Sequence, residues 1–283
     1  MVAAKWNPFP YDAKPYTYEG AKLKAAWPAL HAGDCEPFPD AASVKVAFAR
    51  YPRLKGKLDA EATAEALQSA WRAHHRGDFG AAVEEGAALG AVGANAANKA
   101  ANIYATYLEP ESEAKREILL AAAERAEALQ AIAPDFPNAF YFHALALGRY
   151  SQEISIVKAL AQGIGTKVKA SLDKALALAP KHAEAHIALG AYNAEVVGKV
   201  GATLARLTYG ATKEEAVKHF ALARKLLPDS AIARIEEANG LVQLFGRSKL
   251  AEAEALYREA AKCAPADAMQ RLDAEHAREE AEG

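Results

Sequence analysis

A signature of four residues recurs through the second half of the chain and restricts the fold more than any other feature. In Ala253-x3-Tyr257-x2-Ala260-x4-Pro265 a small residue, an aromatic, a small residue and a proline follow one another at spacings of 4, 3 and 5. Ala216-x3-Phe220-x2-Ala223-x4-Pro228 repeats the pattern, and Val168, Leu172, Ala175, Pro180 and Ala122, Ala126, Leu129, Pro134 follow it more loosely. Spacings of 4 and 3 place side chains on one face of a helix, and proline cannot continue one, so each copy is a helix ended at the same phase. About a quarter of all positions are alanine. Alanine is the best helix former and is depleted from strands, which excludes most β architectures and allows close helix contacts. The expected fold is all-α: an α-solenoid of stacked antiparallel helix pairs preceded by an extended arm.

That arm is residues 1–39, which hold six of the 13 prolines and seven of the 23 aromatics. Proline at this density forbids long helices, although a short one fits Ala21 to Ala26. Trp6, Phe9, Tyr11, Tyr16, Tyr18, Trp27 and Phe38 are costly to leave in water, so the arm is expected to lie along the helical body, either in cis or on a second copy. Residues 40–283 form the repeat domain, with units at roughly 59–94, 95–134, 137–180, 182–228 and 230–265 and a capping helix over 266–282. Asp59 and Ser248 are candidate N-caps, and Thr212-x-x-Glu215 is a capping box.

The pattern resembles the tetratricopeptide repeat, whose helix pairs stack into a continuous core with a concave surface. The prolines at 134, 180, 228 and 265 are 46, 48 and 37 residues apart, against a repeat of about 34. Two units therefore carry extra segments, 149–165 and 196–210, between their first and second helices. Both are apolar and finish in glycine. They either lengthen the first helices and pack together, or build a shelf beside the groove with Arg149, Tyr150, Lys158, Lys199, Arg206 and Tyr209 as its polar lining. In the second case they make a pocket for a small ligand.

The stretch Asn138 to Pro265 bears a closer likeness. Its Ala144-Leu145-Ala146-Leu147-Gly148, Leu172-Asp173-Lys174-Ala175, His186-x2-Leu189-Gly190 and Tyr209-Gly210-Ala211 segments are similar to the regulator of microtubule dynamics family and its bacterial relatives. The resemblance implies a repeat-built interaction protein with no catalytic residues. A more distant likeness is to the TRAP transporter T-component, a periplasmic ligand-binding repeat protein.

No chemistry-bearing motif contradicts this. The sequence has no phosphate loop, Gly-x-Ser-x-Gly, His-Glu-x-x-His or Cys-x-x-Cys, so neither an enzyme nor a cofactor is expected. His182 and His186 have the spacing of two metal ligands, with His143 or His219 as a third, but the packing phase favours no metal. His74-His75 reads as a solvated helix end. Asn95, Asn98 and Asn102 form an amide row that suits either a solvated face or an extended peptide, with Asn98 and Asn102 as its candidate contacts. The carboxylate clamp of peptide-binding repeats is not expected, because Tyr141, Leu145, Ala188, Ala191 and Glu236 stand at its places.

Thirty-four basic against 36 acidic residues give a net charge of −2, which implies no nucleic-acid partner. Cys35 and Cys263 read as free thiols, and no run is long and apolar enough for a membrane span. Without an apolar leader the simplest residence is cytoplasmic, or periplasmic had a signal segment been removed. The expected partner is a protein or peptide segment, a second copy of the chain included.

Overall fold

A computed structural model describes residues 6–282. Among these the regular structure is helical, with no strands. In chain order the helices are α1 (Lys22–Leu30), α2 (Ala41–Arg50), α3 (Pro52–Lys55), α4 (Ala60–His75), α5 (Phe79–Ala88), α6 (Ala94–Tyr107), α7 (Ser112–Ile132) and α8 (Pro137–Gln152). They continue as α9 (Ile156–Ala161), α10 (Ile164–Leu178), α11 (Ala183–Val200), α12 (Ala202–Leu204), α13 (Lys213–Leu226), α14 (Ala231–Phe245), α15 (Leu250–Ala260) and α16 (Ala268–Glu282).

Side chains set the boundaries. Asp59, Thr212 and Ser230 accept hydrogen bonds from the third residue on, capping α4, α13 and α14. Ser248 does not cap α15; its hydroxyl donates to the Phe245 carbonyl instead. The short helix read at Ala21 to Ala26 extends from Lys22 to Leu30 and carries Pro28 within it.

Helices pack as antiparallel pairs, α4 with α5, α6 with α7, α8 with α10, α11 with α13 and α14 with α15. The alanines of the repeated signature sit in these contacts: Ala122, Ala126, Ala175, Ala216, Ala223 and Ala260 are fully buried. Phe220 shows why small residues are required. Its ring lies between α11 and α14, so close that a Cβ added at Gly190 would sit 2.6 Å from it and one at Gly240 2.5 Å. Only glycine on both helices admits the ring.

The five first helices, α4, α6, α8, α11 and α14, share one layer. Within it α6 packs on α8 and α11 on α14, but α8 and α11 barely touch. The two extra segments flank this gap. One forms α9; the other forms α12 and a π-helical turn at Ala205–Tyr209. Tyr209 meets the first turn of α10, where a Cβ at Gly165 would lie 3.3 Å from its ring.

The arm crosses the first-helix layer. Trp6 donates to Glu84 and stacks edge-on against Tyr104, the Asn7 amide donates to the Tyr104 hydroxyl, and Trp27 packs edge-on against Trp71. Helix α16 lies across the same layer from the other end of the chain and contacts α4. The Tyr18 hydroxyl donates to the Ala266 carbonyl at 2.6 Å.

Candidate functional site

Two regions of the first-helix layer gather polar chemistry: a buried network under the arm and an open pocket at the gap between α8 and α11.

The network centres on the arm's apex, residues 31–36. Cys35 has φ 54°, alone among the described non-glycine residues in lying at positive φ. Asp34 Oδ1 accepts from the Glu36 amide, closing an Asx turn around it. This turn directs Asp34 and Glu36 into the helices. Asp34 bonds Lys99 of α6 at 2.5 Å and His31 at 2.9 Å. Glu36 accepts from Asn95 at 3.0 Å and Asn138 at 2.5 Å, and the Glu184 amide donates to the Gly33 carbonyl. The network runs on through Lys99 to Glu184 at 3.1 Å, and through the His31 and His75 Nε2 atoms at 3.3 Å to Asp267, which immediately precedes α16.

Charge balance follows from these contacts. Burial alone would raise Asp34, but His31 and Lys99 hold it well below the ordinary carboxylate range. Burial would lower Lys99, and Asp34 with Glu184 raise it instead. Glu36 has no cation in contact: burial and the neighbouring Asp34 push it up to about 7, against the Asn138 and Asn95 amides. Burial takes His31 and His182 down to about 4.

Asp34 and Glu36 thus anchor the arm on α6 and α8. The residues that hold it, Asn95, Lys99 and Asn138, differ from those at which a carboxylate clamp was sought. The amide row is correspondingly not a solvated face. Asn98 is fully buried and accepts from Arg125, and Asn102 donates to the Asn98 carbonyl. His74 and His75 likewise are not a solvated helix end but are fully enclosed between the arm, α5 and α16. Adjacent residues diverge on a helix, yet here both directions are covered.

For metals, the structure gives His182 and His186 separate tasks. His182 is buried, caps α11 through Nδ1 and bonds Asn138 through Nε2. His186 bonds His219 at 2.8 Å and the Pro180 carbonyl. His143 bonds Ser171 and Glu127. Among the described residues, His74, His75 and Asp267 alone bring three possible ligand atoms within 4.8 Å of one another. There His75 already bonds Asp267 at 2.9 Å, while neither nitrogen of His74 has a partner. Burial keeps His74 well below its ordinary range, hence neutral.

The pocket, a cavity of about 210 Å³, is framed by α6, α8, α9, α10, α11 and the ends of α14 and α16. Its walls are mostly aliphatic, with Leu145, Ile156, Leu160, Val168, Ala188 and Val196 among them. At its floor Arg149 meets Glu236 at 2.8 Å and the Tyr107 hydroxyl donates to Asp273 at 2.5 Å. Burial pushes Asp273 up to about 7, partly offset by that hydroxyl. Two buried polar atoms of lining residues lack partners, the Tyr192 hydroxyl and Asn102 Oδ1.

Of the residues singled out in the sequence, Arg149, Lys199, Tyr209 and Asn102 line this pocket. Tyr150 does not; it is buried in the main core. Lys158 and Arg206 are exposed outside the lining, and Asn98 is buried against Arg125 of α7. Tyr107, Glu236, Asp273 and Tyr192 were missed, because only the crossing of α16 and the gap between α8 and α11 bring them together. The two cysteines are both free.

No helix among the described residues is long and apolar enough to cross a membrane. No curated protein matches the chain. The family model described as regulator of microtubule dynamics protein 1-3 matches residues 93–280, from just before α6 into the last turn of α16. The chain belongs to that family.

Proposed function

We propose that this protein is a non-enzymatic, tetratricopeptide-like interaction scaffold, and that the pocket between α8 and α11 is its open recognition site. One observation carries this reading. Asn95, Lys99 and Asn138 are covered by the arm and bonded to it, whereas the pocket is open and two of its lining residues, Tyr192 and Asn102, carry polar atoms without partners. A partner protein would seat an apolar anchor there, with its backbone or a polar tip meeting Tyr192 and Asn102. Size favours such an anchor: about 210 Å³ is small beside the roughly 300–1,000 Å³ of sites for larger ligands. The family's name, which ascribes regulation of microtubule dynamics to its members, supports an interaction role.

A second reading rests on the pocket's aliphatic walls and buried floor: a small, mostly apolar molecule held by the same two groups. The two are separated by native mass spectrometry of the protein from its own host, compared with Ala188→Trp, which fills the pocket. A protein partner lost in Ala188→Trp supports the scaffold. A small retained mass lost in the variant supports the ligand reading. Identical partners and masses in both proteins would remove the pocket from either role.

A further inference from the structure

Residues 154–172 and 196–213 contain no aspartate or glutamate, although 36 of the 283 residues are acidic and the chain average would place about five there. They carry six cations, Lys158, Lys167, Lys169, Lys199, Arg206 and Lys213. Lys169 and Lys199 pair with Asp173 and Glu195, and Lys213 bonds the Leu244 carbonyl. Among the described residues Lys158, Lys167 and Arg206 have no carboxylate partner.

These same segments hold five of the ten large hydrophobic residues that stand exposed among the described residues. Val157 is 77 % and Leu207 74 % exposed, with Ile156, Leu160 and Leu204 near half. Because Tyr209 packs on Gly165, the two segments meet, and both contribute to one pocket rim, Ile156 and Leu160 from the first and Lys199 and Tyr209 from the second. Exposing them costs free energy that nothing within the chain recovers.

We propose that the two insertions form a docking surface for an anionic lipid bilayer. The aliphatic tips enter the headgroup layer, and Lys158, Lys167 and Arg206 meet acidic headgroups. Two observations support a bilayer. The two segments carry unpaired cations and no carboxylate, which complements anionic headgroups. Val157, Leu204 and Leu207 stand outside the pocket lining, on the short helices α9 and α12 and the π-helical turn, where single aliphatic side chains can enter a headgroup layer. The proposal goes beyond the pocket reading: Ile156 and Leu160 also belong to the pocket rim, but Val157, Lys158, Arg206 and Leu207 lie outside its lining.

Flotation of the full chain with vesicles tests it. The chain should float with phosphatidylcholine vesicles containing phosphatidylserine, much less with phosphatidylcholine alone, and less as salt is raised. Val157→Glu with Leu207→Glu should weaken binding at least about tenfold. Lys158→Glu and Arg206→Glu should each weaken it about fivefold or more. All four side chains are exposed, so melting temperature should not move. Failure to float with anionic vesicles, or unchanged flotation of the Val157→Glu/Leu207→Glu variant, would overturn the proposal. Polyglutamate binding that competes fully with vesicles and ignores that variant would assign the surface to an acidic protein instead.

Discussion

Lys99 Nζ lies 2.5 Å from Asp34 Oδ2, and the two side chains are 3 % and 0 % exposed. One belongs to the first-helix layer and the other to the arm, so this pair fixes where the arm crosses the body. A buried pair of this kind holds only while both charges are present, because each is far from water.

Lys99→Met should therefore destabilise the protein by about 3–5 kcal/mol, since Asp34 and Glu184 lose their buried cation. Adding Asp34→Asn should recover a large share of that loss. Denaturant unfolding of the two variants measures both, and equal midpoints for the single and double variants would show that the pair does not anchor the arm.

Glu36 gives the stability a dependence on pH. Its folded value is raised to about 7 from the ordinary 4.5, so its stabilising contribution is complete at low pH and is lost as pH rises through 4.5 to 7. Glu36→Gln keeps an acceptor for Asn95 and Asn138 without that loss. The variant should match the parent near pH 4.5 and exceed it by on the order of 2 kcal/mol at pH 8. Melting curves at the two pH values check this. His31 and His182, lowered to about 4, act oppositely: their contribution is full above pH 6.5 and falls away toward pH 4 in both proteins.

Gly190→Ala should cost about 1–3 kcal/mol, because the new methyl meets the Phe220 ring, itself held on its other side by Gly240. Combining it with Phe220→Leu should cost less than the sum of the two single changes. Strict additivity in the double-mutant cycle would contradict the sandwiched ring.

Tyr192→Phe removes a buried hydroxyl that has no partner. In the isolated protein, stability should hold or rise by up to about 1 kcal/mol. Whatever occupies the pocket should bind less tightly to the variant, which titration with the occupant identified by native mass spectrometry would measure.

Much of the helical layout was legible in the residues themselves. Prolines 134, 180, 228 and 265 each end a packed pair, Asp59 and Thr212 cap where their side chains suggested, and the lengthened spacings located the segments that frame the pocket. The buried network was not legible, for a physical reason. Asp34, Glu36, Lys99 and Glu184 are residue types normally found at surfaces, and only pairing across 65 and 85 positions makes their burial tolerable. Helical periodicity reports which face of a helix is apolar, not what crosses it. The same limit explains His74 and His75, polar residues covered by the arm and by Asp267, both distant in sequence.

The bond of Asp267, just before α16, to His75 of α4, with the contacts of α16 on α4, has a consequence for how the molecule comes apart. An open array of repeats can fray from either end, each terminal unit leaving at little cost to the others. Here the start of the last helix is latched to α4, so neither can leave without breaking a buried contact with the other. Unfolding should proceed as one event, and cutting the latch with Asp267→Ala should turn a single sharp transition into a broad one.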